Sequence, residues 1–304
     1  MTDPTTPAAR KRQVVVFVSI VLVVSFALEA WMIRSAGGLG ALGGLAVVIL
    51  MWIPAIVSLL MRVMGREGFR DVGWRAGPWR FWLVALLLPA VLAGATYLSA
   101  WLVGAVVFSP RSSQLPIESV HLRWLAVAAI NGALGAALGI ITAFGEELGW
   151  RGYLLTRWKQ SGLRFPLLGS GLVWGIWHVP VILWGDYATS SHPWVSALLF
   201  LVCICLANVV FSWLRLTSGS VWVASIVHAS HNAFYQASFD RHFSGELEPY
   251  LAGEAGLFSI LAYGAVVVWL ARSGRLRKIR EAPVWFAVKQ PATPSASSSR
   301  NGSE

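Results

Sequence analysis

Charge is what this sequence has least of. Asp, Glu, Lys and Arg make up 12% of its 304 residues, where a soluble domain carries about 25%. With 56% hydrophobic residues and a mean hydropathy of +0.64, that deficit excludes an ordinary soluble domain and implies an integral membrane protein. Cysteine is nearly absent too. Cys203 and Cys205 share one apolar run, and two residues apart on a helix they point to different faces, which argues against a disulfide or metal site there. No repeat of 20–50 residues recurs, which removes the solenoid architectures. No His-Glu-x-x-His is present, so the common zinc-protease helix motif is missing. The net charge of +10 would suggest nucleic acid in a soluble protein. Here the basic residues sit in short loops between apolar runs, so they read as orientation signals and no nucleic-acid partner is expected.

What is there is a series of runs of roughly 20 apolar residues, each long enough to cross a bilayer core of about 30 Å. They lie near 14–31, 39–61, 81–107, 125–155, 166–185, 194–214, 219–238 and 253–271. The predicted fold is all-α: a polytopic transmembrane bundle of about eight spans. Residues 1–13 form a polar N-terminal segment ending in Arg10-Lys11-Arg12, and 14–272 form the helical domain. Residues 273–304 form a tail, basic at first and low-complexity from about Ala282, for which disorder is expected. The fourth run is overlong and is expected to project from the membrane. Every second loop is rich in basic residues, whereas those holding Arg34, Arg111, Asp186 and Arg241 are poor in them. An even number of spans with both termini in the cytoplasm follows.

Within this apolar frame the polar residues fall into three clusters. The first is Phe144-Gly-Glu146-Glu147-Leu-Gly-Trp-Arg151. Charges at that depth are costly and mark function by default. Glu147 and Arg151 are spaced i, i+4 with the acid first, the better orientation for an ion pair, and Glu146 points about 100° away around the helix. The second cluster is Trp174-Gly-Ile-Trp-His178, followed by Pro180, which removes a backbone hydrogen bond and opens room for water. The third is His228-Ala-Ser-His-Asn232, whose His228 and Asn232 share a helix face and together suit an oxyanion. Each cluster alone is also compatible with packing or interhelical hydrogen bonding. Their depths agree, however. His178 lies roughly 18 Å from Pro166, His228 roughly 14 Å from Gly219 and Glu146 roughly 16 Å from Arg157. A shared cavity predicts that agreement. Gly135, Gly139, Gly145 and Gly149 add small-xxx-small spacing, which permits close helix approach.

In this order, Glu-Glu-x-x-x-Arg, aromatic-x-x-x-His and His-x-x-x-Asn resemble the CPBP family of type II CAAX prenyl endopeptidases and bacteriocin-processing or immunity proteins. The resemblance covers about residues 120–240, the expected catalytic core. Trp174 stands where that family commonly has Phe. The resemblance implies an eight-helix intramembrane glutamic endopeptidase in a bacterial plasma membrane, with a water-filled site open toward the cytoplasm. It assigns Glu146 to water activation, His178 to assisting it, and His228 with Asn232 to the oxyanion. Glu147, Arg151 and Trp174 support them. A protein or peptide substrate, lipidated or not, is implied, and no cofactor.

Two other readings remain open. Glu146, His178 and His228 have the ligand chemistry of a catalytic zinc site. A non-enzymatic immunity factor, scaffold or transporter would also use a polar core, although the paired broken helices of transporters are not evident.

Overall fold

The computed structural model describes residues 6–35, 44–110, 115–185, 187–188 and 190–281. Arg111, Asp186 and the low-complexity tail from 282 lie outside them, as does the expected start of the second span at 39. Eleven helices follow one another among the described residues: α1 (Pro7–Arg34), α2 (Gly44–Met64), α3 (Trp79–Leu102), α4 (Val120–Gly149), α5 (Leu155–Gln160), α6 (Pro166–Leu183), α7 (Pro193–Ser218), α8 (Val221–Asn232), α9 (Glu248–Leu251), α10 (Leu257–Arg272) and α11 (Arg275–Glu281).

Among the described residues, six stretches are long and apolar enough to cross a membrane: α1, α2, α3, α6, α7 and the continuous rod Val120–Gln160 made of α4, a π-helical turn and α5. At 41 residues that rod is the overlong fourth span. The seventh run divides into α8, of 12 residues, and a π-helical stretch Ala233–Phe239. The eighth is α10, an apolar helix of 16 residues. Outward side chains such as Leu134, Leu138, Ile141 and Leu198 are exposed apolar surface, as lipid-facing helices require. One feature outside the all-α expectation is a two-residue antiparallel ladder, β1 (Val107–Phe108) on β2 (Phe243–Ser244), under an aromatic cluster of Phe108, Trp124, Phe239 and Phe243. It is too short to leave an alternating pattern in the sequence.

The bundle is built around α4, which packs on α2 and α8. The small-residue spacing explains how closely. A Cβ on Gly149 would sit 2.3 Å from the Cβ of Pro54, and one on Gly145 would sit 2.9 Å from the Met51 carbonyl oxygen. On the other flank Gly135 and Gly139 meet Ala233 and Ala229. These contacts hold the Glu146–Glu147 pair against both neighbours.

The loop between α2 and α3 closes one end of the bundle through charge. Arg62 donates to Asp71 at 2.6 Å and to the Gly152 carbonyl at 2.9 Å. Arg157 pairs with both Asp71 and Glu67. Arg215 donates to the carbonyls of Asp71 and Val72, at 3.1 and 2.8 Å. Gly73, with φ +87°, lies so close to the Arg215 guanidinium that a Cβ would overlap it. Arg62, Arg157 and Arg215 were counted above as orientation charges, but they are buried and bonded, each 1–3% exposed. Both described ends of the chain gather at this latch: Arg10 lies 3.5 Å from Glu67, and α11 meets α5 where Lys159 donates to the Ile279 carbonyl.

Burial pushes the Asp71 carboxyl up, but Arg62 and Arg157 outweigh it and hold the group below its ordinary value. Its stabilisation is therefore complete above the unfolded-state value of about 3.9 and is lost as pH falls through the lower folded value. We predict that Asp71→Asn lowers stability by about 3 kcal/mol near neutral pH, because it leaves the buried Arg62 without a carboxylate and Arg157 with Glu67 alone. The variant should also lack part of the wild-type loss of stability below about pH 4. Thermal unfolding in micelles across pH measures both, and a variant that melts like the wild type contradicts the latch.

Candidate functional site

Glu146 and Glu147 are 2% and 0% exposed at the end of α4, and their surroundings differ. Glu147 makes an ion pair with Arg151 one turn on, and its Oε1 accepts from His228 Nδ1 at 2.9 Å. The Arg151 guanidinium also lies over the Trp174 ring, 4.1 Å from its centroid, a placement that stabilises a cation out of water. Glu146 has no cationic side chain bonded to it. Its Oε2 accepts from two indole N–H groups, Trp174 at 2.7 Å and Trp150 at 3.1 Å.

Trp150 opens the π-helical turn Trp150–Leu154. Such turns insert one residue into a helix and recur at functional sites. Here the turn directly follows the acid pair and carries Arg151. Trp174 and His178 are one turn apart on α6, and the Trp174 carbonyl lies 2.9 Å from His178 Nδ1. A carbonyl can only accept, so Nδ1 carries the proton and Nε2 keeps its lone pair. Trp177, Tyr187 and Phe200 pack around the ring.

A cavity of about 150 Å³ is lined by Glu146, Trp174, His178, His228 and Asn232 together. The three sequence clusters thus meet at one space, and Glu146 faces that space rather than lipid. Glu147 and Arg151 do not line it; they stand behind it. The cavity runs away from the latch, taking Glu29 and Met32 near the end of α1, Val47 near the start of α2, and Tyr187 and Glu254 from loops at the far end.

Several residues at or beside the cavity are not singled out by the sequence. Trp150 sits four residues after Glu146, a spacing that places it within reach. His231 falls between His228 and Asn232 in the third cluster; it lines the cavity and bonds Tyr263 at 2.9 Å. Glu29 is the acid in the first apolar run, and the rule that flagged Glu146 applies to it equally. Among the described residues, no three His, Cys, Asp or Glu side chains are grouped to hold a metal ion. Glu146, His178 and His228 line one cavity but are not drawn together as a ligand set in this arrangement.

Residues 128–234 match the family model described as Rce1-like, type II CAAX prenyl endopeptidase. That segment contains all the motif residues from Glu146 to Asn232. No curated protein matches the chain.

The unequal partners of the two acids give a stability prediction. Glu147→Gln strands the buried Arg151 and should cost about 3–5 kcal/mol. Glu146→Gln leaves only neutral indole partners and should cost roughly 1 kcal/mol or less. Equal shifts in melting temperature for the two variants would contradict this division of roles.

Proposed function

Taking residues 128–234 as an Rce1-like segment of the CPBP family, we propose that this integral membrane protein is an endopeptidase whose Glu146 activates water. The observation that carries the reading is the single cavity joining Glu146, His178, His228 and Asn232. A water there donates one hydrogen to the free oxygen of Glu146 and the other to His178 Nε2, which is left unprotonated by the bond from Nδ1 to the Trp174 carbonyl. Glu146 takes the proton as the water oxygen attacks the scissile carbonyl carbon. His228, bonded to Glu147 through Nδ1, offers an Nε2–H to the oxyanion when it is an imidazolium. The Asn232 amide supplies a second donor. The tetrahedral intermediate collapses, the C–N bond breaks, and Glu146 returns its proton to the leaving amine.

The resemblance also implies a peptide or protein substrate, lipidated or not. The basic latch end is assigned to the cytoplasm, with α8 plus its π-helical stretch and α10 as the seventh and eighth spans. The cavity then extends toward the opposite leaflet, which differs from the cytoplasmic opening that the resemblance implied.

Cleavage of quenched fluorescent peptides by the full chain in nanodiscs tests the reading. Glu146→Gln should lower kcat/KM by about 10²–10⁴-fold, the usual worth of a general base, with melting nearly unchanged. Asn232→Ala should lower kcat by about 10²–10³-fold, and a strong chelator should leave the wild-type rate intact. Full activity in Glu146→Gln would remove the mechanism. Chelator-sensitive activity restored by zinc would replace it with a metal-dependent one.

A further inference from the structure

One acid in the cavity has no part in this mechanism. Glu29 lies on α1, is 0% exposed, and lines the same space as Glu146. Among the described residues, neither Oε1 nor Oε2 has a hydrogen-bond partner. A buried carboxylate left with both oxygens unbonded is costly and awaits a partner. The walls beside it are apolar: Met32, Val47, Leu50 and Met51.

The charge of the cavity as a whole points the same way. Its lining holds three acidic side chains, Glu29, Glu146 and Glu254, and among the described residues no Lys or Arg. Glu254 accepts from Gln236 at 2.8 Å, and its Oε2 lies 3.6 Å from His231 Nε2. The nearby Arg151 is committed to Glu147 and the Trp174 face. A second cavity, of about 300 Å³, shares Tyr187, Gln236 and Glu254 with the first and adds Asp240 and Glu248, again without Lys or Arg. Asp240 Oδ1 is buried and has no hydrogen-bond partner. Among the described residues, the route from this second cavity to Glu146 therefore carries acidic side chains and three histidines, with no Lys or Arg. Low-dielectric walls strengthen such a field, which attracts cations and repels anions.

Resting on the peptidase reading, we propose that Glu29 is a specificity-determining residue that receives a Lys or Arg side chain of the substrate near the scissile bond. The methylene stem of such a residue suits the wall of Met32, Leu50 and Met51, and its charged head reaches Glu29.

The test uses the full chain in nanodiscs and a set of quenched fluorogenic peptides. At each position in turn the peptides carry Lys, Arg, norleucine or Glu, with amidated or free C-termini. At one position, Lys or Arg should raise kcat/KM about tenfold or more over norleucine, with Glu the poorest, as a buried polar site discriminates. In Glu29→Gln the basic-to-norleucine ratio should fall to about one, whatever the variant's overall rate. A wild type without basic preference at any position overturns the proposal, and needs no variant to do so. A preference that survives in Glu29→Gln also overturns it. A wild type that cuts none of the peptides overturns the peptidase reading and this inference with it, whereas cleavage without basic preference overturns this inference alone.

Discussion

A carboxylate taken out of water must be compensated, and two adjacent ones in an apolar bundle must be compensated twice. The structure does this unequally. Glu147 receives the Arg151 guanidinium and the His228 ring, so its charge is absorbed by the scaffold. Glu146 receives only two indole N–H groups on one oxygen, and it faces the cavity. One acid of the pair is tied to its charged neighbours, and the other accepts hydrogen bonds through Oε2 alone. The tryptophans that bond Glu146 also support this division, since the Trp174 ring carries the guanidinium that neutralises Glu147 and its carbonyl fixes the His178 tautomer.

The rest of the fold serves to keep that arrangement in place. Glycines let α4 approach α2 and α8 closely enough that the acids, His228 and Asn232 share one level. The π-helical turn after α4 carries Trp150 and Arg151 next to the acids while the helix continues into α5. Behind this turn, the latch of Arg62, Arg157 and Arg215 on the α2–α3 loop closes the basic end, with Arg62 bonded directly to the turn at Gly152. The cavity therefore extends away from the latch, to the side where Glu29, Glu254 and the second cavity lie.

How much of this was legible in the sequence depends on the range of each interaction. The Glu147–Arg151 pair, the Trp174–His178 bond and the common face of His228 and Asn232 are all i, i+4 relations, and helix geometry alone predicts them. The convergence of the three clusters was readable from their equal depths. The latch was not, because Arg62 meets Gly152 across 90 residues of chain and Arg157 meets Asp71 across 86. From composition, such arginines look like solvated loop charges. Glu29 was missed for a different reason: a single acid in a long apolar run scarcely alters its hydropathy, and its depth matters only once α1 is known to border the cavity.

The most direct measurement is a structure of the Glu146→Gln chain trapped with a peptide. The account predicts the scissile carbonyl inside the cavity, its oxygen about 3 Å from His228 Nε2 and the Asn232 amide, and a water held between the residue-146 side chain and the His178 ring. A peptide bound outside this cavity, or a carbonyl oxygen turned away from His228 and Asn232, would contradict it.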